Sequence, residues 1–192
     1  MKKAFLLASI LFISVISTAC INNFAVQELN NKAKDFMDKG DYVSAIERLK
    51  SSVDLDGSVF ETQYNLAVAY TKAEDYDNAI KTYHTAIKLN PDFADAYYSL
   101  AVCEENLAKD IISGAVKVNE DGSFEKLEEN ENSDSSKVEL SSKAKEILES
   151  LLNDAVSDYG LYQDKGGSSD DKTFVEEKIK ELQQLIAENA VK

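Results

Sequence analysis

Cys20 and Cys103 are the two cysteines and His84 is the one histidine, so thiol or imidazole chemistry has three residues to start from. A catalytic relay or a histidine-built metal centre needs a second ligand of that kind, and His84 has no second histidine to work with. It reads as a surface residue. Cys103 stands two residues after Ala101 in a helical stretch and reads as a core thiol rather than a nucleophile. Asn119, Asp121, Gly122, Glu125 and Glu128 have the spacing of oxygen ligands in a calcium loop. Lys117, however, stands where the first carboxylate is needed, and a cation there repels the metal. A polar turn accounts for the same residues. There is no glycine-rich phosphate loop and no Gly-x-Ser-x-Gly. The expectation is a protein with no metal and no cofactor that binds rather than catalyses.

Cys20 has a different kind of chemistry open to it. Lys2 and Lys3 are followed by 13 uncharged, mostly apolar residues, Ala4 to Ile16, and then by Ser17-Thr18-Ala19-Cys20. A basic start, a short apolar run and a small-residue end make a secretory signal peptide. The run is too short for a permanent membrane span, which needs about 20 apolar residues. A buried amino-terminal helix is the alternative use of the same stretch. Thr18-Ala19-Cys20 resembles the bacterial lipobox, although Ser17 departs from the Leu, Val or Ile usual in that family. The resemblance implies a diacylglyceryl group on Cys20 after removal of residues 1–19, and more than one acyl chain gives stable anchoring. Ordinary cleavage after Ala19 is the alternative. Either cut removes Lys2 and Lys3 and takes the net charge from −14 to −16.

Composition points to helices. Among 192 residues there are one proline, no tryptophan and seven glycines, with 44% hydrophobic side chains to build a core. Lys and Arg total 21 against 35 Asp and Glu. A surface of that sign repels nucleic acid and anionic headgroups.

The helices repeat. Gly40-Asp41-Tyr42 to Ile46 recurs 34 residues later as Glu74-Asp75-Tyr76 to Ile80; Tyr64-Asn65-Leu66-Ala67-Val68 recurs as Tyr98-Ser99-Leu100-Ala101-Val102; Ala33, Ala67 and Ala101 share the period. A 34-residue period resembles the tetratricopeptide repeat (TPR). In the copy 60–93 the resemblance is carried by Leu66, Ala67, Tyr70, Ala79, Tyr83, Ala86 and Pro91. The copy 26–59 has Leu29, Ala33, Phe36, Ala45 and Leu49, with Lys32 and Gly57 where Leu and Pro are usual. The third copy opens with Tyr97, Leu100 and Ala101 and then departs, with Glu104 in place of Tyr. The resemblance implies an all-α solenoid of antiparallel helix pairs. Small residues let such helices cross closely, and end repeats are atypical.

The remaining third completes that array. Residues 94–158 read as a degenerate third repeat holding an acidic insertion, 114–136, in which Val116 to Phe124 allows a small hairpin. Ser136 with Glu139 fits a capping box ahead of Leu140, Ala144, Ile147, Leu148, Leu151, Leu152 and Ala155 at helical spacing. Residues 159–171 read as a loop. Thr173 with Glu176 is a second capping box, and Val175, Ile179, Leu182 and Ile186 form the stripe of a capping helix over 172–192; docking to a partner helix is its other use. Residues 20–25 are left as a tether.

In the family the first helix of each repeat lines a concave groove. On this sequence the resemblance places Asn30 and Lys34, Tyr64 and Val68, and Tyr98 and Val102 there as partner-binding residues. Relatives that grip a peptide carboxylate use several Lys, Arg and Asn; here Asn30 and Lys34 make that clamp incomplete, and the tyrosines and valines form an aromatic and aliphatic strip. Repeat-typical packing accounts for the tyrosines equally well. The expected function is an interaction scaffold on the extracytoplasmic side of a bacterial envelope, anchored through lipidated Cys20 and binding an envelope protein or peptide, with no nucleic acid. A periplasmic small-ligand carrier or transporter accessory subunit is the alternative.

Overall fold

The computed structural model describes residues 22–127 and 139–190, and the chain divides into two compact units, Met1–Ala73 and Glu74–Lys192. The expected signal peptide, Cys20, Glu128, Ser136 and most of the acidic stretch lie outside the described residues.

Unit 1 contains α1 (22–37), α2 (Tyr42–Leu55) and α3 (Phe60–Lys72). Its core sets Leu49 and Leu66 among Ala33, Ala45 and Ala69, with Phe36, Met37, Ile46, Val53 and Tyr70 packed around them. Alanines at the contacts bring the helix axes close, and each buried leucine contributes about 1.5–3 kcal/mol. The expected tether is partly wrong: residues 22–25 are already helical. Nothing in Asn22-Asn23-Phe24-Ala25 stops a helix, and Val26 on its inner side is buried. The turn into α2 uses Gly40 at φ +75° and Asp41 as N-cap, its carboxylate accepting from the Ser44 amide at 3.1 Å.

The same turn opens unit 2. Asp75 caps α4 (Tyr76–Leu89) and accepts from the Asn78 amide at 3.4 Å. The residue before it is Glu74 at φ +57°, where the earlier copy has Gly40. Then follow α5 (Ala94–Ser113), β1 (Val116–Val118), β2 (Phe124–Lys126), α6 (Ser142–Asp164), a 3-10 turn (Ser169–Asp171) and α7 (Lys172–Ala190). Gly114 ends α5 in the left-handed conformation, φ +79°. The strands pair antiparallel, Val116 opposite Lys126 and Val118 opposite Phe124.

One continuous core joins these elements, drawing Leu107 and Ile111 from α5, Leu148, Leu152 and Tyr159 from α6, and Val175 and Leu182 from α7. Val116 and Val118 belong to it too. The first strand of the expected insertion is therefore part of the unit's interior, because its alternation turns both valines inward.

Three boundaries of the C-terminal third shift. The helix expected from Ser136 begins at Ser142, and its N-cap is Ser141, whose hydroxyl accepts from the Ala144 amide at 3.1 Å. It then runs through Gly160, which the sequence placed in a loop, to Asp164. A helical glycine costs about 1 kcal/mol, and burial of Tyr159 and Tyr162 on either side outweighs it. Thr173 lies inside α7 rather than capping it; the 3-10 turn leads the chain in. Helices in all seven positions leave the fold class as expected from the sequence, all-α.

Candidate interaction surface

The expected strip falls in both units. In unit 1 Lys34 is exposed on α1, while Tyr64 and Val68 are half-buried on α3. Tyr64 is stacked on Phe60, four residues earlier, with ring centroids 5.9 Å apart. Asn30 does something the repeat pattern did not assign. Its amide nitrogen donates to the Val26 carbonyl (2.9 Å), the Ser52 hydroxyl (3.0 Å) and the Thr62 hydroxyl (2.9 Å). Ser52 and Thr62 are fully buried, so Asn30 ties α1, α2 and α3 together through a polar node. A shallow cleft of about 420 Å³ lies between α1 and α2, lined by Leu29, Phe36, Lys32, Lys39, Arg48 and Asp35.

In unit 2 the strip meets later parts of the chain. Tyr98 on α5 is half-buried against two tyrosines of α6, with ring centroids 5.7 Å from Tyr159 and 5.2 Å from Tyr162. Val102, one turn on, packs against the core. Glu105, another turn along, is 4% exposed. Its carboxylate accepts from Lys109, from Lys178 of α7 at 2.9 Å and from the Tyr159 hydroxyl at 2.9 Å. Burial alone would raise this carboxyl; hydrogen bonds from Lys109, Lys178 and Tyr159 outweigh burial and hold it below the ordinary value. In the same network burial pushes the Tyr159 hydroxyl far up, aided by the neighbouring Glu105 charge. Glu105 thus fixes α6 and α7 on α5.

Tyr162 is a second junction. Its hydroxyl donates to Asp171 at 3.0 Å and accepts from the Ser168 amide at 3.0 Å. Its carbonyl accepts from the Gly167 amide at 2.9 Å. Gly167 lies directly on the ring: a Cβ there would stand 2.5 Å from Tyr162 Cζ.

Of the residues weighed for chemistry, Cys103 is fully buried and His84 is exposed on α4. Asp121 shapes the hairpin turn, accepting from the Ser123 amide at 2.9 Å and its hydroxyl at 2.6 Å, while Gly122 takes φ +83°. Glu104 and Glu105, both buried, were not singled out by sequence as interior charges. The available signal was Glu104 at a position where the repeat has Tyr. Among the described residues no helix is long and apolar enough to cross a membrane.

Residues 60–93 match the family model of the tetratricopeptide repeat. A BBSome complex member BBS4 homolog of Drosophila melanogaster is 35% identical over 78 residues, 41% of this chain but 16% of that protein's length. Among solved structures, the first TPR of Spaghetti (RPAP3), bound to an HSP90 peptide, superposes with a TM-score of 0.56 at 16% identity, over 84% of this chain and 93% of that one. The Arabidopsis OM64 TPR domain gives 0.58 at 11% identity, covering 83% and 98%. The second TPR domain of human RPAP3, in complex with an HSP70 peptide, gives 0.56 at 16% identity, covering 84% and 98%. At such identities the likeness is one of fold. The match to the repeat model spans residues 60–93, and the all-α fold is similar to those of the solved TPR domains.

Proposed function

We propose that this chain is a protein-interaction scaffold, anchored through an acylated Cys20 on the extracytoplasmic side of a bacterial envelope. Its partner is a protein or peptide that engages Lys34, Tyr64 and Val68 of unit 1 and Tyr98 and Val102 of unit 2. The observation that carries the reading is that Tyr64 and Tyr98, 34 residues apart in the sequence, are each partly open to solvent within their own unit. Tyrosine offers large contact area at low entropy cost and is enriched among binding hot spots. Support also comes from the fold neighbours that hold an HSP90 peptide and an HSP70 peptide. Asn30 takes part by holding α1 against α3, since its amide is engaged within unit 1.

Two measurements test this. Cys20→Ala should release the protein from membranes or leave it unprocessed; unchanged retention with normal cleavage removes the anchor. Envelope partners cross-linked to the wild type should be recovered at roughly tenfold lower yield with Tyr64→Ala, Tyr98→Ala, a loss of about 1.4 kcal/mol or more. Full recovery with a folded double variant moves the site elsewhere. A small-ligand carrier is the second reading, and the α1–α2 cleft favours it. An organic molecule released from the purified monomer by denaturation, and lost on Phe36→Ala, would establish that reading instead.

A further inference from the structure

Glu104 lies on α5, 2% exposed, and its Oε2 has no hydrogen-bond partner. A buried carboxyl oxygen left unpaired costs stability, so its presence demands a compensating role or occupant. The corresponding residue one repeat earlier is Tyr70, an uncharged ring. α6 packs along α5 and brings Asp154 and Asp158, four residues apart and therefore on one helical face. Asp158 is half-buried and Asp154 exposed, so the three acids run from the interior to the surface. Among the described residues none of the three forms an ion pair. Asp154 accepts a hydrogen bond from the Ser150 hydroxyl at 3.1 Å.

The neighbouring charges are few. On α4, His84 lies near enough to feel Asp154 and Lys88. On α5 itself, Glu105 is engaged by Lys109, Tyr159 and Lys178 and offers Glu104 nothing. Burial pushes the Glu104 carboxyl up to about 9, with Asp158 and Asp154 adding to the effect; burial and Asp154 push Asp158 up to about 6. At neutral pH a proton therefore occupies Glu104. The other occupant that leaves no acid uncompensated is a cation carrying its own directed donors.

We propose that the Glu104–Asp158–Asp154 cluster, where α6 packs on α5, is a docking point for an arginine side chain presented by a protein partner. This inference rests on the interaction-scaffold reading and names the chemistry of the partner. A guanidinium is planar, weakly hydrated and supplies five donors, which suits carboxylates at different depths better than an ammonium does. As it enters, Glu104 gives its proton to the buffer and the resulting carboxylate accepts from the guanidinium, with Asp158 accepting beside it. Charge complementarity favours such a partner: residues 74–192 carry 13 basic side chains against 27 acidic ones. That field also speeds the encounter of a basic partner.

The test uses the full chain and a labelled helical peptide of alanine and leucine bearing three arginines on one face. The same peptide with citrulline at those positions is the neutral control. Calorimetry at pH 7 in two buffers of different ionisation heat counts protons. The wild type should bind the arginine peptide, not the citrulline one, and release close to one proton per peptide. Glu104→Gln should bind about tenfold more weakly and release none. Asp158→Asn should weaken binding severalfold, and it carries the comparison if Glu104→Gln fails to fold. Equal affinity for the wild type and Glu104→Gln, or binding without proton release, overturns the proposal, because the peptide is then held by the acidic surface at large. Absence of binding also overturns it. An envelope partner whose retention needs Tyr64 and Tyr98 but ignores Glu104→Gln leaves the scaffold reading standing and removes this one.

Discussion

Among the described residues unit 1 buries only neutral polar side chains, two of them gathered around one amide, whereas unit 2 buries two acidic side chains that are neighbours in sequence. In unit 1 the node is Asn30, whose amide nitrogen donates to Ser52 and Thr62 while its own Oδ1 is left without a hydrogen-bond partner. In unit 2 Glu105 has three donors, and Glu104 has an oxygen with none. Formal charge follows the same division: residues 20–73 carry six basic and eight acidic side chains, residues 74–192 carry 13 and 27. Hydroxyls and amides can be paired locally at modest cost, but a buried carboxylate needs cations brought from elsewhere in the chain. Unit 2 supplies one from α7, Lys178, 73 residues beyond Glu105. The difference teaches that the C-terminal helix is more than an apolar lid, since it delivers the charge that lets α5 keep an interior acid.

The sharpest break of that comparison is Glu105→Ala. It strands the buried Tyr159 hydroxyl and frees Lys178, and urea unfolding should show a loss of about 3 kcal/mol or more. A loss below 1 kcal/mol would mean that the apolar stripe of α7 suffices without the ion pair.

Next comes Glu104→Gln, whose effect depends on pH. The folded carboxyl stands at about 9, above its ordinary 4.5, so folding favours the protonated form. That preference is fully present below about pH 4.5 and is lost as pH rises toward 9. Glu105, held low, works in the opposite sense: its contribution is present above the ordinary value and lost on acidification below it. Glu104→Gln should therefore be near neutral at pH 4 and stabilise by up to about 3 kcal/mol at pH 7, flattening the fall in melting temperature between pH 5 and 9. The same fall in wild type and variant would show that Glu104 ionises freely.

Asn30→Ala probes the neutral side. Ser52 and Thr62 lose their shared partner, at a cost of about 1–2 kcal/mol that stays constant from pH 5 to 9. A pH-dependent cost would break the contrast between the units.

The smallest effect concerns the repeated turn. Gly40 takes φ +75° freely, whereas Glu74 takes φ +57° with a side chain. Glu74→Gly should relieve about 1 kcal/mol of backbone strain. It also removes an exposed ion pair to Lys126 at 2.8 Å that contributes less than that. A net gain of about 0.5 kcal/mol in thermal unfolding is expected, and a net loss would make the Lys126 contact the stronger partner.

Much of this was legible in the sequence, for physical reasons that differ by region. A period of 34 with Ala33, Ala67 and Ala101 in register marks close helix crossings, so the helices of both repeats were readable without knowing what covers them. Cys103 as a core thiol followed from the same register. Asn30 reads by its register as a groove residue, but its short side chain reaches across to Thr62, and spacing along one helix does not encode a contact 32 residues away. Gly160 was misread because local propensity was weighed without the burial of Tyr159 and Tyr162. The hairpin opening at Val116 was readable from its alternation and turn residues, but that both valines of β1 face the core was not, because what they pack against lies on α5 and α6. Above all, the third repeat's departure at Glu104 was visible while its meaning was not, since Asp154 and Asp158 arrive from 50 and more positions further on.

Gly167 carries a consequence for how this sequence can drift over generations. The loop after α6 is polar and solvent-facing, the kind of segment that usually tolerates any replacement. Yet even a methyl group at Gly167 would collide with the Tyr162 ring, and that ring rests on Tyr98. A change in an outlying loop is thereby relayed through one tyrosine to the face of α5 that the repeat pattern assigns to binding. Related sequences that keep Tyr162 should keep glycine at 167, and those that abandon it should show a smaller residue at 162. Selection for a partner held at Tyr98 would then be recorded in a residue that never meets it.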